Sequence, residues 1–501
     1  MFQEINKNHK LLQLLITFTK KERLRFRYFL VSPYFNKRND VQRLYNILNA
    51  RTVIGKPYAT KKIIPKLFPE NYKERQQDIQ LADYSRLKVA ITELTRLAQV
   101  FILQEGRKKP TRASENDRIL IDELMLRQLY KQAQAVLDKR MKSPEEKIPI
   151  NRAYYLDQYR LEEAKFFLGV LGKNRSIKNE ISPVVKSFHN YYLANILLYC
   201  CGMINQAQVL DIAYDKTFVE AVERMVKERL DKVPILAKIY YAMLLFLKKE
   251  GAISYFIEAK TLVDIHQDTF DSTEQRQMVN MMLNFCNDRI LEGQNAYRFL
   301  EDSLYRSNFP RGIWDEGLYF SGHLFHNYIA NAIVIKKLNG EEKHDDLGAF
   351  IIKYQDKLNP HSKEDILSIC NARIAFAKGN VEEADTFLKA MDKKEDYFYK
   401  AYERALAIKI LYVQRNEGND RERESIRYAI QAFRSYLTPK RSPNLNRLKR
   451  KANQNFCSLI LRILDLQDGI KSERKRPLLA LIEDLEKMDL LVEREWFDSI
   501  L

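Results

Sequence analysis

The chain has 501 residues, more than one compact core holds, so several packed units are expected. Apolar residues make up 46% and charged residues 30%, which excludes wholesale disorder, a collagen-like chain and a multi-pass membrane protein. The formal charge is +18, and 15 Gly and 14 Pro leave few chain breakers, so long helices are predicted.

The charge is uneven. Basic residues exceed acidic ones by 15 in residues 1–112 and by 10 in 421–480, whereas 113–420 carry −2 and 481–501 carry −5. Such ends could attract phosphate or an acidic partner. An apolar stretch at Leu11–Phe18 runs straight into Lys20, Lys21, Glu22 and Arg23, so it reads as a buried helix and not as a signal peptide. Thr19 and Glu22 form a capping box for the next helix, which Ser32-Pro33 should end. On the wheel of this helix Leu24, Tyr28 and Val31 lie opposite Phe26, Phe29 and Leu30, which predicts packing on two faces. Its charges then fall in two strips, Lys20/Arg23/Arg27 and Lys21/Arg25, beside aromatics assigned to the core. Asn39 should cap a helix with Val41, Leu44, Tyr45 and Leu48 on its apolar face. From Tyr84, Leu87, Ile91, Leu94, Ala98 and Phe101 mark a helix seam, ended by a break at 106–114 with Arg107, Lys108, Lys109 and Arg112. A domain boundary is expected there, dividing a basic helical region, 1–112, from a helical array, 113–470, and a capping helix, 471–501.

Later breakers are well separated and no alternating runs bounded by hairpin dipeptides occur, so the fold class expected is all-α. Two uncharged stretches, 187–210 and 317–335, carry His and Asn side chains unsuited to hydrocarbon; they read as fully covered central helices, with no membrane span. The five cysteines, at 200, 201, 286, 370 and 457, form no C-x-x-C pair or disulfide framework, and a reducing, cytoplasmic setting fits them. A helix after residue 444 carries the apolar row Leu445, Leu448, Ala452, Phe456, Leu459, Ile463 and Leu466 and should stop at Gly469, presenting Arg447, Arg450 and Lys451 as a second basic strip. A last helix begins near Pro477, its acidic surface closing the array toward solvent.

Ala372, Ala375, Phe376, Gly379-Asn380, Glu383-Ala384 and Leu388 place small residues on both sides of a Gly-Asn turn. This resembles a tetratricopeptide (TPR) hairpin, although Ser368 and Asp396 depart from the repeat pattern. Glu-Ala-x-x-x-Leu/Val recurs at Glu163-Ala164 and Glu258-Ala259 without a fixed period. Over its whole length the chain is similar to a TPR-like all-helical repeat family of Bacteroidetes-type bacteria. The similarity begins at Phe29-Leu30-Val31-Ser32-Pro33-Tyr34-Phe35-Asn36-Lys37, continues around Tyr191-Tyr192 and Tyr240-Tyr241, and ends in 433–456. It implies an irregular α-solenoid of antiparallel helix hairpins; it carries no activity and no functional residue.

Catalytic equipment is not evident. Phosphate-loop, dinucleotide and serine-hydrolase motifs do not occur. His323-x-x-His326 puts two imidazoles on one helical face, a weak metal candidate that supplies half of a usual zinc shell. Acidic pairs such as Asp345-Asp346 and Glu382-Glu383 read as solvated helix surface. The function expected is a non-catalytic scaffold that binds a protein or peptide, with no cofactor. A nucleic-acid-associated protein using Lys20, Lys21, Arg23, Arg25, Arg27, Arg447, Arg450 and Lys451 is the second reading, because strips lining one concave surface could meet several phosphates at once. A helical enzyme with a dispersed active site is the third.

Overall fold

The computed structural model describes residues 4–5, 9–52, 58–69, 81–108, 113–142, 149–171, 180–210, 212–248, 252–315, 319–341, 343–391, 399–415, 420–442, 445–468 and 475–501. The described chain is all-helical apart from a two-residue antiparallel pair, Glu4–Ile5 on Tyr58–Ala59, and two isolated bridges. It divides into two compact units, one of residues 1–143 with 163–179, the other of 144–162 with 180–501. The break at 106–114 therefore lies inside the first unit, with 109–112 outside the described residues, and 471–501 belongs to the second unit.

The first unit packs α1 (Lys10–Ile16), α2 (Lys20–Val31), α3 (Asn39–Thr52) and α4 (Thr60–Leu67) around the long α5 (Leu81–Arg107). The capping box opens α2: Glu22 N–H donates to Thr19 Oγ1 at 3.2 Å, and Thr19 N–H donates to Glu22 Oε2 at 2.8 Å. Val41, Leu44, Tyr45 and Leu48 are all buried, as the spacing predicts, against Leu87, Leu94, Ala98 and Phe101 of α5. Helix α2 departs from its wheel. Phe26 and Leu30 enter the core, but Leu24, Tyr28 and Val31 are 51%, 67% and 55% exposed, so the helix packs on one face only. Composition alone misleads here because an apolar face needs a neighbouring element to cover it. Helices α6 (Ala113–Leu126), α7 (Tyr130–Lys142) and the second half of α8 (Arg152–Leu171) complete this unit.

In the second unit α11 (Ile235–Leu247) is buried almost all round, between α9 (Ser182–Leu210) and α12 (Ala252–Ile265); α10 (Lys216–Lys227) flanks α9. Neighbouring helices follow in chain order: α13 (Ser272–Leu291), α14 (Ala296–Asn308), α15 (Gly322–Leu338), α16 (Asp345–Tyr354), α17 (Lys363–Ala377), α18 (Val381–Lys389), α19 (Tyr399–Gln414), α20 (Asp420–Tyr436) and α21 (Arg447–Asp468). α21 then returns to α13, and Asn446 Nδ2 donates to Gln208 O at the end of α9 at 3.0 Å. α22 (Lys475–Lys487) and the short α23 (Arg494–Ile500) follow, with Trp496 and Phe497 buried beside Phe456.

The Gly-Asn turn joins α17 to α18 as a helix hairpin. Gly379 has φ +81°, its N–H donates to Phe376 O at 3.1 Å, and Asn380 N–H reaches back to Ala375 O at 2.9 Å. This terminator satisfies two carbonyls of the α17 end, while Ala372, Ala375 and Ala384 are buried at the helix contact. The stretch 187–210 is not fully covered: along α9, Phe188, Tyr192 and Tyr199 are exposed. Among the described residues no helix is long and apolar enough to cross a membrane. Of the apolar row along α21, Ala452, Phe456, Leu459 and Ile463 are buried and Leu445, Leu448 and Leu466 are half-buried; Gly469 lies outside the described residues.

Candidate functional site

The second unit holds a cavity of about 640 Å³, within the usual range for a ligand site. Its walls are α13, α14, α15 and the start of α21, with Arg373 of α17, Tyr402 of α19 and residues 491–495 entering from the side. Aliphatic side chains share the lining with an unusual number of asparagines. Asn280, Asn284 and Asn287 stand at i, i+4 and i+7 of α13, so they lie along one face. Asn327 and Asn331 follow on α15, and Asn446 and Asn453 on α21.

Four of the charges at the wall, Arg298, Arg373, Glu493 and Glu495, are paired within the protein. Glu493 accepts from Arg373 Nη2 at 2.9 Å and from Lys409 Nζ at 2.7 Å, and Glu495 accepts from Arg298. Burial alone would raise the Glu493 carboxyl, but the Lys409 ammonium and Arg373 guanidinium hold it well below the ordinary carboxylate range. Glu493 stands in the left-handed backbone region, φ 58° and ψ 33°, a conformation that costs a non-glycine residue about 1–2 kcal/mol. That turn aims its carboxylate at the two cations while Glu495, two residues on, meets Arg298. Both glutamates, which follow the helix Lys475–Lys487, are used inward as counter-ions.

Glu301 is of another kind. It is 2% exposed, accepts from Asn287 Nδ2 at 3.1 Å and Tyr305 Oη at 3.3 Å, and burial pushes its carboxyl up to about 8 despite nearby Arg298. It is consequently mostly protonated at neutral pH.

The histidine pair divides. His326 is fully buried, packs at a tilt against Tyr402 with ring centroids 4.5 Å apart, and its Nε2 accepts from Arg373 Nε at 3.0 Å. Burial and then the Arg373 charge lower its pKa well below the ordinary imidazole value, so it stays neutral with the proton on Nδ1, toward Asn327 Oδ1. The lone pair a metal would need is occupied by Arg373. His323 is half-buried at the cavity wall, and among the described residues no group of three or more His, Cys, Asp or Glu is arranged to hold a metal. All five thiols are buried and unbridged; burial raises them, Cys200 to about 11 and Cys457 to about 12.

The predicted basic residues separate by what they touch. In the first unit Lys20, Lys21 and Arg27 are exposed, Arg23 Nε donates to Phe18 O at 3.0 Å, and Arg25 pairs with Glu105 at 2.5 Å. In the second unit Arg447 and Lys451 are exposed, but Arg450 donates to Leu445 O at 2.6 Å and Ser442 O at 3.3 Å, fastening the loop before α21. The i, i+3, i+4 spacing reports a shared face and not this loss of one guanidinium to carbonyls.

The asparagine cavity escaped sequence reasoning. Its local signals are Asn280, Asn284 and Asn287 on α13 and Asn327 and Asn331 on α15, each set at helical spacing; what joins them into one cavity comes from distant segments. Comparison with family models, curated proteins and solved structures finds no match.

Proposed function

We propose that the chain is a non-catalytic helical-repeat scaffold, built of TPR-like hairpins in an irregular solenoid, which holds a protein segment or peptide in the cavity of its second unit. The observation that carries this reading is the cavity lining: aromatic and aliphatic surface interspersed with fixed neutral hydrogen-bonding groups, the composition that peptide sites use for contact area and orientation. A cytoplasmic setting is supported by the five buried, unbridged thiols. A photo-crosslinking residue placed at Asn284, on the cavity wall, is expected to join the protein to another polypeptide in cells; the same residue at exposed Tyr428, outside the lining, is not. Crosslinks equal at both positions, or none at 284, sink the reading.

A second reading, contact with single-stranded nucleic acid through α2, is favoured by one observation. Tyr28 and Tyr34 are 67% and 85% exposed in a segment whose Lys20, Lys21, Arg27 and Lys37 are also exposed, and base-stacking platforms use ring faces and charge together.

A further inference from the structure

We propose that the cavity grips the main chain of an extended polypeptide through its asparagine carboxamides, and so accepts many side-chain sequences; this rests on the peptide-binding reading above. Each of five carboxamides is anchored at one end. Asn280 Oδ1 accepts from Trp314 Nε1 at 3.0 Å, Asn284 Nδ2 donates to Asn205 Oδ1 at 3.1 Å, and Asn287 Nδ2 donates to Leu283 O at 2.8 Å. On the other walls Asn453 Nδ2 donates to Lys449 O at 2.7 Å, and Asn327 Oδ1 faces His326 Nδ1. The opposite ends, two amide donors and three carbonyl acceptors, have no hydrogen bond to another described residue.

Anchoring removes the rotamer entropy that a carboxamide otherwise loses on binding. Donors and acceptors occur together, which is what a peptide backbone requires, since it presents one N–H and one C=O per residue. The helical spacing suits it as well. Residues at i and i+4 rise about 6 Å along α13, close to the two-residue repeat of about 6.6 Å in an extended chain. Asn280 and Asn284 can therefore meet successive backbone groups on one edge of the ligand.

Part of the wall's positive charge is held by the protein's own carboxylates. Arg298 and Arg373 are committed to Glu495 and Glu493, so two of the guanidiniums that would attract an anion are already neutralised. A ligand rich in both donors and acceptors is the complement of the carboxamides.

The test uses the full chain and a phage-displayed library of random 12-residue peptides. Enriched peptides are synthesised, and their affinities measured by calorimetry before and after N-methylation at single residues, which deletes a backbone donor and leaves the side chain. Affinity is expected to fall about tenfold at alternate residues, the loss of roughly one hydrogen bond, and to change less than twofold between them. Asn284→Ala should weaken unrelated peptides alike by about fivefold, with an unchanged thermal midpoint. Peptides that bind but tolerate every N-methylation and Asn284→Ala overturn main-chain recognition while leaving peptide binding standing. Enrichment of no peptide overturns peptide binding itself.

Discussion

At the residue scale, the cavity separates two carboxylates by their surroundings. Glu493 faces two cations and stays ionised, whereas Glu301 has two neutral hydrogen-bond donors and is raised to about 8. A folded-state value above the ordinary 4.5 means that the folded chain holds this proton more tightly than the unfolded chain, so its contribution is complete at acid pH and is lost as pH rises from about 4.5 through 8. The thermal midpoint of the parent should therefore fall relative to that of Glu301→Gln between pH 5 and pH 8.5, and a constant difference across that range would show Glu301 ionised throughout. Such roles were not legible in the sequence. The spacing of His323 and His326 was visible, but the partner that sets the His326 tautomer, Arg373, lies 47 positions away, and no local pattern links them.

At the element scale, legibility follows how local the cause is. The ends of α2 were readable because Thr19, Glu22 and Pro33 act within one turn, and the α17–α18 turn because Gly379 alone supplies the left-handed backbone that ends the first helix. An added Cβ at Gly379 would meet nothing within 4 Å, so its demand is on the backbone and not on space. The covered faces of α2 were not readable, since a wheel shows where apolar residues point and not whether anything is there to receive them. That exposed face carries the second functional reading. A fluorescent single-stranded oligonucleotide is expected to bind the parent at about 50 mM salt, to weaken steeply as salt rises, and to bind Tyr28→Ala about tenfold less tightly, in line with the loss of one stacked base. No binding of the parent at low salt would remove nucleic acid from the functions of this helix.

At the scale of the whole molecule, the all-helical class followed from scarce breakers and helical spacing, because those signals are summed over many turns. The path of the chain was not available in the same way. The return of α21 to α13, and the insertion of residues 491–495 beside Arg298, Arg373 and Lys409, are fixed by contacts between remote segments. These are also the contacts whose loss should be felt most. Glu493→Gln leaves Arg373 and Lys409 without their carboxylate; Lys409 is 6% exposed, so a loss of about 3 kcal/mol in unfolding free energy is expected, against less than about 0.5 kcal/mol for exposed Lys451→Ala. Denaturant titration of both variants decides the point, and equal midpoints would show that the buried cations find other partners. The separation of Glu495 from Arg298 by 197 residues has a further consequence during synthesis. Lys409 leaves the ribosome 84 residues ahead of its carboxylate, so a nascent chain can collapse around its apolar clusters while the cations beside the cavity still need water. Until Glu493 and Glu495 have been synthesised, the buried cations of the second unit lack the carboxylates that they pair with in the folded chain.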